Sequence, residues 1–117
     1  MARILIIDDS PVARLLGRAV FEAEGHEVLE AEDGESGIET ALSNQLDCVF
    51  LDRQMPGVSG EGVLKALQQE SYAAPIVLVT ADVDQQTRDE CMKLGAALVI
   101  EKPRATDELL KALERVV

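Results

Sequence analysis

Four points along the chain place polar or ionisable residues directly after short apolar runs. Asp8-Asp9 follow Ile4 to Ile7, Asp52 follows Cys48 to Leu51, Thr80 follows Ile76 to Val79, and Glu101-Lys102-Pro103 follow Leu98 to Ile100. A single aspartate after a strand is a common turn former or helix cap. The coincidence at successive run ends is what carries chemical meaning. Brought together, Asp8, Asp9 and Asp52 repel one another and stay ionised only beside a positive charge. A hard divalent cation such as Mg2+ suits them, since it takes oxygen ligands from one or two carboxylates while keeping waters and a phosphate oxygen. Lys102 and Thr80 can then hold the remaining oxygens of a phosphoryl group. With Asp52 as nucleophile the set describes phosphoryl transfer onto a carboxylate. Pro103 holds Lys102 extended, aiming its side chain off the end of the run.

These residues meet only if the runs are neighbouring parallel strands. Each run is too short for a helix, rich in β-branched residues, and continuously apolar, as in strands covered on both faces. A fifth strand fits His26 to Ala31, at an edge because Glu27 and Glu30 interrupt its apolarity. Between the strands the period becomes helical. Ser10 caps and Pro11 opens a first helix, whose apolar positions Val12, Leu15, Leu16, Ala19 and Val20 follow i, i+3, i+4, i+7 and i+8. Asp33 caps a second with Ile38, Ala41 and Leu42, Ser59 a third with Val63, Leu64 and Leu67, and Thr106 opens the last with Leu109, Leu110, Leu113 and Val116. The fourth, from about Asp84 to Leu94, offers only Thr87, Cys91 and Leu94 as an inward stripe, which marks it as a moving part. Five strand-helix units with right-handed crossovers predict a doubly wound α/β sheet, commonly in order 2-1-3-4-5, with ligands beyond the carboxyl ends of the strands. At 117 residues the chain is read as one domain, residues 1–117, too short for an eight-stranded barrel.

Composition narrows the partners. The 22 acidic against 11 basic residues give a formal charge of −11, which disfavours direct nucleic-acid binding. No Lys or Arg occurs between Arg18 and Arg53, and the acids of that interval read mainly as a solvated face. No apolar run approaches a membrane span, and the N-terminus reaches Asp8 too soon for a secretory h-region, so no membrane insertion and a cytoplasmic location are expected. Cys48 and Cys91 lack a paired or metal-ligating spacing and read as reduced and structural.

The motifs resemble those of the receiver domain of bacterial two-component response regulators, and the resemblance covers the whole chain. It rests on the pair Asp8-Asp9, on Asp52 followed by Met55-Pro56-Gly57 and Gly60, on Thr80-Ala81 and on Lys102-Pro103. It implies a flavodoxin-like (βα)5 fold with five parallel strands in order 2-1-3-4-5. It also implies that Asp52 is the phosphoacceptor for a histidine kinase or histidine phosphotransfer protein. Asp9 and Asp52 would ligate Mg2+ directly, Asp8 mostly through water, and the Gln54 backbone carbonyl would complete the protein ligands. Thr80 and Lys102 would bind phosphoryl oxygens and report phosphorylation to the face of the fourth helix, last strand and last helix. Gln54 and Asp82, each two residues beyond a site residue, would tune the lifetime of the acyl phosphate. The chain departs from the pattern at Val99, usually an aromatic that follows the threonine, and at Arg104, usually hydrophobic or aromatic; both bear on the switch and output face.

The implied activity is limited to self-phosphorylation and self-hydrolysis, in a module of the kind used in chemotaxis and phosphorelays. Its output runs through partner proteins, or through further domains where the chain is a piece of a longer regulator. Alternatives are a pseudo-receiver that binds partners constitutively and a Mg2+-dependent phosphatase of the haloacid dehalogenase type. The complete acid, Thr and Lys set speaks against the first; the lack of an Asp-x-Asp after the first strand speaks against the second. A nucleotide-binding flavodoxin-like protein would need the glycine-rich phosphate loop that this sequence lacks after its first strand.

Overall fold

Strands whose side chains are apolar on both faces need a cover on each, and the chain supplies it by alternating strand and helix. The computed structural model describes residues 1–103 and 105–117. Its elements are β1 (Arg3–Ile7), α1 (Pro11–Ala23), β2 (Glu27–Ala31), α2 (Gly34–Ser43), β3 (Cys48–Asp52), α3 (Gly60–Gln69), β4 (Ile76–Thr80), α4 (Gln85–Lys93), β5 (Leu98–Glu101) and α5 (Thr106–Val116). The strands form one parallel sheet in order β2-β1-β3-β4-β5, the order expected from the sequence. Successive side chains point to opposite faces, so the core divides in two. Leu5, Ile7, Val49, Leu51, Leu78 and Val99 pack with α2, α3 and α4 through Ala41, Val63, Leu64, Leu67 and Cys91. Ile4, Ile6, Phe50 and Val77 pack on the other face with Phe21 of α1 and Ala112 and Leu113 of α5. The Phe21 and Phe50 ring centroids lie 5.0 Å apart.

The helix caps form where the sequence puts them. Ser10 accepts from the Ala13 amide, Asp33 from Ser36 and Ser59 from Gly62, and the structure adds a cap on the fourth helix, where Asp84 accepts from Thr87. The last helix differs: Thr106 is its first helical residue, and Ala105 occupies the cap position with no side-chain hydrogen bond.

The buried face of α1 is not the one the large apolar residues mark. Val12 and Leu15 are each 65% exposed and Leu16 is 58% exposed, with Ala19 also on the outside and Val20 half-buried. Gly17 and Phe21 are the buried residues of the helix, and Ala13 lies one turn before Gly17 on the same line. The small residues let the helix lie close to the sheet: a Cβ on Gly17 would stand 2.7 Å from Ile6 Cδ1. In α2, likewise, Gly34, Gly37 and Ala41 face inward and Leu42 is exposed.

Edge strand β2 is held by ion pairs. Glu27 meets Arg3 at 2.7 Å, and Glu30 meets Arg14 at 3.1 Å and Arg18 at 2.6 Å, with Glu22 also on Arg18 at 2.9 Å. The acidic interval is therefore partly paired with arginines on α1 and β1 rather than wholly solvated. Cys48 and Cys91 are free and buried, and burial pushes the Cys48 thiol up to about 12. Among the described residues no helix is long and apolar enough to cross a membrane.

The rotation of α1 has a measurable consequence. Phe21→Ala should cost about 3–5 kcal/mol in urea denaturation, the range for emptying a buried aromatic site. Leu15→Ser should stay within about 0.5 kcal/mol of wild type, as a surface change does.

Candidate functional site

A parallel sheet brings the carboxyl ends of its strands to one rim, and here that rim carries the ionisable residues. Asp8 leaves β1 and turns straight into α1: its Oδ1 accepts the Ser10 amide at 2.9 Å, and Arg14 Nη1 donates to its backbone carbonyl at 2.6 Å. Asp52 is the last residue of β3 and only 2% exposed. The loop after it doubles back as the Gly60 amide donates to the Arg53 carbonyl at 2.9 Å. Only glycine fits there, because a Cβ on residue 60 would stand 2.6 Å from Arg53 Cα. The turn at Gly57 uses a φ of 78°, in the left-handed region that favours glycine.

The three predicted carboxylates meet. One oxygen from each of Asp8, Asp9 and Asp52 lies within 4.8 Å of the others. Asp52 Oδ1 accepts the Gln54 amide at 3.3 Å and faces Lys102 Nζ at 3.7 Å, whereas Oδ2 is buried with no hydrogen-bond partner among the described residues. Lys102 is half exposed, so its attraction is partly screened by water. Burial, reinforced by the Asp8 charge, pushes the Asp52 carboxyl up to about 6 despite Lys102 and the Gln54 amide. An unpartnered buried oxygen among hard carboxylate donors is the chemistry that fits a divalent cation of the Mg2+ type. Asp8, Asp9 and Asp52 are the side chains that could hold it.

The remaining predicted residues lie around this group. Thr80 ends β4 fully buried, its Oγ1 accepting the Asp82 amide at 3.1 Å. The side chains of Gln54 and Asp82 are exposed at the rim. Val99 is buried in the core beneath α4 rather than at the rim. Arg104, expected on the output face, lies outside the described residues.

Two features escaped the sequence reading. Arg14 braces Asp8 from the first turns of α1 while pairing with Glu30, a role signalled only by a basic residue six positions after the first aspartate. A mostly apolar cavity of about 250 Å3 opens from Asp8, Asp52 and Lys102 down between α1 and α5, bordered by Ala13, Gly17 and Ala105. The small residues on α1 were its only trace.

A family model for the response regulator receiver domain matches residues 4–114, and the chain belongs to that family. It is 35% identical to protein PilH of Pseudomonas aeruginosa, over 100% of this chain and 98% of PilH. Among solved structures it resembles Vibrio cholerae chemotaxis protein CheY4 with a TM-score of 0.93 and 30% identity, covering 100% of this chain and 99% of the other. It also resembles response regulator protein TrrA of Thermotoga maritima, determined in complex with Mg2+-BeF, with a TM-score of 0.88 and 32% identity over 100% of both chains. The chain spans about half the length of some other curated relatives that it matches. It is thus a receiver domain of the two-component response regulators, with the fold those regulators share.

The raised Asp52 carboxyl predicts how stability follows pH. The unfolded chain ionises this group near pH 4 and the folded chain only near pH 6, so its contribution to stability is full below about pH 4 and is lost as the pH rises through about 6. In EDTA, the stability of Asp52→Asn relative to wild type should rise by about 3 kcal/mol between pH 3 and pH 7. Mg2+ at pH 7 should recover the wild-type loss and leave the variant unmoved; urea denaturation at both pH values, with and without Mg2+, measures it.

Proposed function

We propose that this chain is a phosphoacceptor receiver domain that takes a phosphoryl group from a phosphohistidine onto Asp52. The carrying observation is the Asp52 carboxylate itself: buried, one oxygen unpartnered, flanked by two acids and facing an ammonium. Family membership and a relative solved with Mg2+-BeF support the reading.

An Asp52 oxygen attacks phosphorus as the phosphorus–nitrogen bond of the donor breaks. The bonding pair returns to the imidazole nitrogen, and Asp52 becomes a mixed anhydride. Asp8, Asp9, Asp52 and the Gln54 backbone carbonyl would hold Mg2+, which when bound neutralises the crowded carboxylates and the phosphoryl oxygens. Lys102 holds one equatorial oxygen by charge, and the Thr80 hydroxyl turns from the Asp82 amide to another. Those two movements carry the phosphorylation state away from the rim, toward α4, β5 and α5. The chain's only chemistry is its own phosphorylation and hydrolysis, and it acts in the cytoplasm.

The donor is a protein, a histidine kinase or a histidine phosphotransfer protein. Val12, Leu15 and Leu16 form an exposed apolar face on the helix that begins just past Asp9, within reach of any surface presenting a phosphohistidine to Asp52. Such a cluster on a soluble domain marks a protein contact. Phosphorylation then alters binding of a downstream target.

Asp52→Asn should eliminate labelling by acetyl phosphate, read by intact mass, because an amide is not a comparable nucleophile. Lys102→Ala should still label but lose the conformational response to it. Labelling that persists unchanged in Asp52→Asn removes the assignment.

Exchanging the rim side chains of Gln54 or Asp82 should leave labelling intact and change the decay of the acyl phosphate. A change of about tenfold corresponds to about 1.4 kcal/mol, the scale of one hydrogen bond to the attacking water. Equal decay in wild type and both variants would count against this role.

A further inference from the structure

We propose that Arg88 is the latch through which the acceptor site is read on the last strand, a step that rests on the phosphoacceptor reading above. Arg88 lies on α4, and its Nη1 donates to the Val99 backbone carbonyl of β5 at 3.0 Å. A continuous series of contacts joins that bond to the rim. Thr80 Oγ1 accepts the Asp82 amide at 3.1 Å, Asp82 Oδ1 receives the Asp84 amide at 3.4 Å, and Asp84 caps α4 by accepting the Thr87 amide at 2.7 Å. The Arg88 amide then donates to the Asp84 carbonyl at 3.0 Å.

Among the described residues little else fastens α4. Thr87 and Cys91 are its buried residues, and its far end is tied by Gln68 Nε2 donating to the Lys93 carbonyl at 3.3 Å. One charged hydrogen bond is therefore a large share of its attachment. Val99 is a small, buried side chain with no swinging ring to offer, so the coupling on this chain falls to the arginine crossing above it. When the Thr80 hydroxyl turns to a phosphoryl oxygen, the Asp82 amide loses its acceptor. The turn that caps α4 shifts, and the Arg88 bond to Val99 releases. Arg88 thus favours the resting arrangement, and removing it makes the protein easier to phosphorylate.

The full chain can be tested with Mg2+ and beryllofluoride, with acetyl phosphate labelling read by intact mass, and with amide hydrogen exchange. Arg88→Ala should bind beryllofluoride and label with acetyl phosphate roughly fivefold more readily than wild type, the effect of losing one such bond. Its residues 85–93 should exchange, without ligand, as fast as those of beryllofluoride-bound wild type. Arg88→Lys, which keeps a donor, should fall between. A role in packing alone would speed exchange while leaving beryllofluoride affinity unchanged or weaker, and that result overturns the latch. So does a variant indistinguishable from wild type in both measurements. Wild-type protein that neither labels nor binds beryllofluoride overturns the phosphoacceptor reading itself, a different result from an unaltered Arg88→Ala.

Discussion

A carboxylate at the end of a central strand, taken almost wholly out of water and placed beside two others, is an expensive arrangement, and Asp52 is held in it. Desolvation and like charge both oppose ionisation there, and both follow from topology rather than from the residue alone. β3 is flanked by β1 and β4, so its end is walled by neighbouring strands and covered by the loops that follow them. Lys102 and the Gln54 amide offset part of the cost and leave one oxygen unanswered. That remaining imbalance makes the rim a group of oxygens that could hold a cation.

The rest of the fold divides by how firmly it is held around that point. α1, α2 and the loop into α3 approach the sheet and their neighbours through Gly17, Gly37 and Gly60, where an added methyl group would collide with Ile6, Ile7 or Arg53. Close packing of this kind resists displacement. α4 has no equivalent: its sequence is polar almost throughout and it rests on two buried side chains. Rigid support beneath the acids and a weakly seated helix beside Thr80 suit one molecule to both positioning and signalling.

Much of this was legible in the sequence because the signals were local. Continuous apolar runs gave the strands, single polar residues gave the caps at Ser10, Asp33 and Ser59, and polar residues at run ends gave the rim. What stayed hidden depended on distant partners or on small residues. The inward line of α1 runs through Ala13, Gly17 and Phe21, which a count of large apolar side chains passes over in favour of Val12, Leu15 and Leu16. The acids of β2 looked solvated because Arg3, Arg14 and Arg18 reach them from other elements. Arg88 gave no signal, since its partner is a backbone carbonyl eleven residues on, brought near only by packing.

The turned helix has a further effect at the level of the solution. Leaving Val12, Leu15 and Leu16 uncovered gives each molecule a patch with a tendency to adhere to its own kind. A net charge of −11 opposes such contacts at long range, with a reach of about 8 Å at physiological ionic strength. The surplus of acids thus opposes self-association through the patch, and concentrated salt weakens that protection.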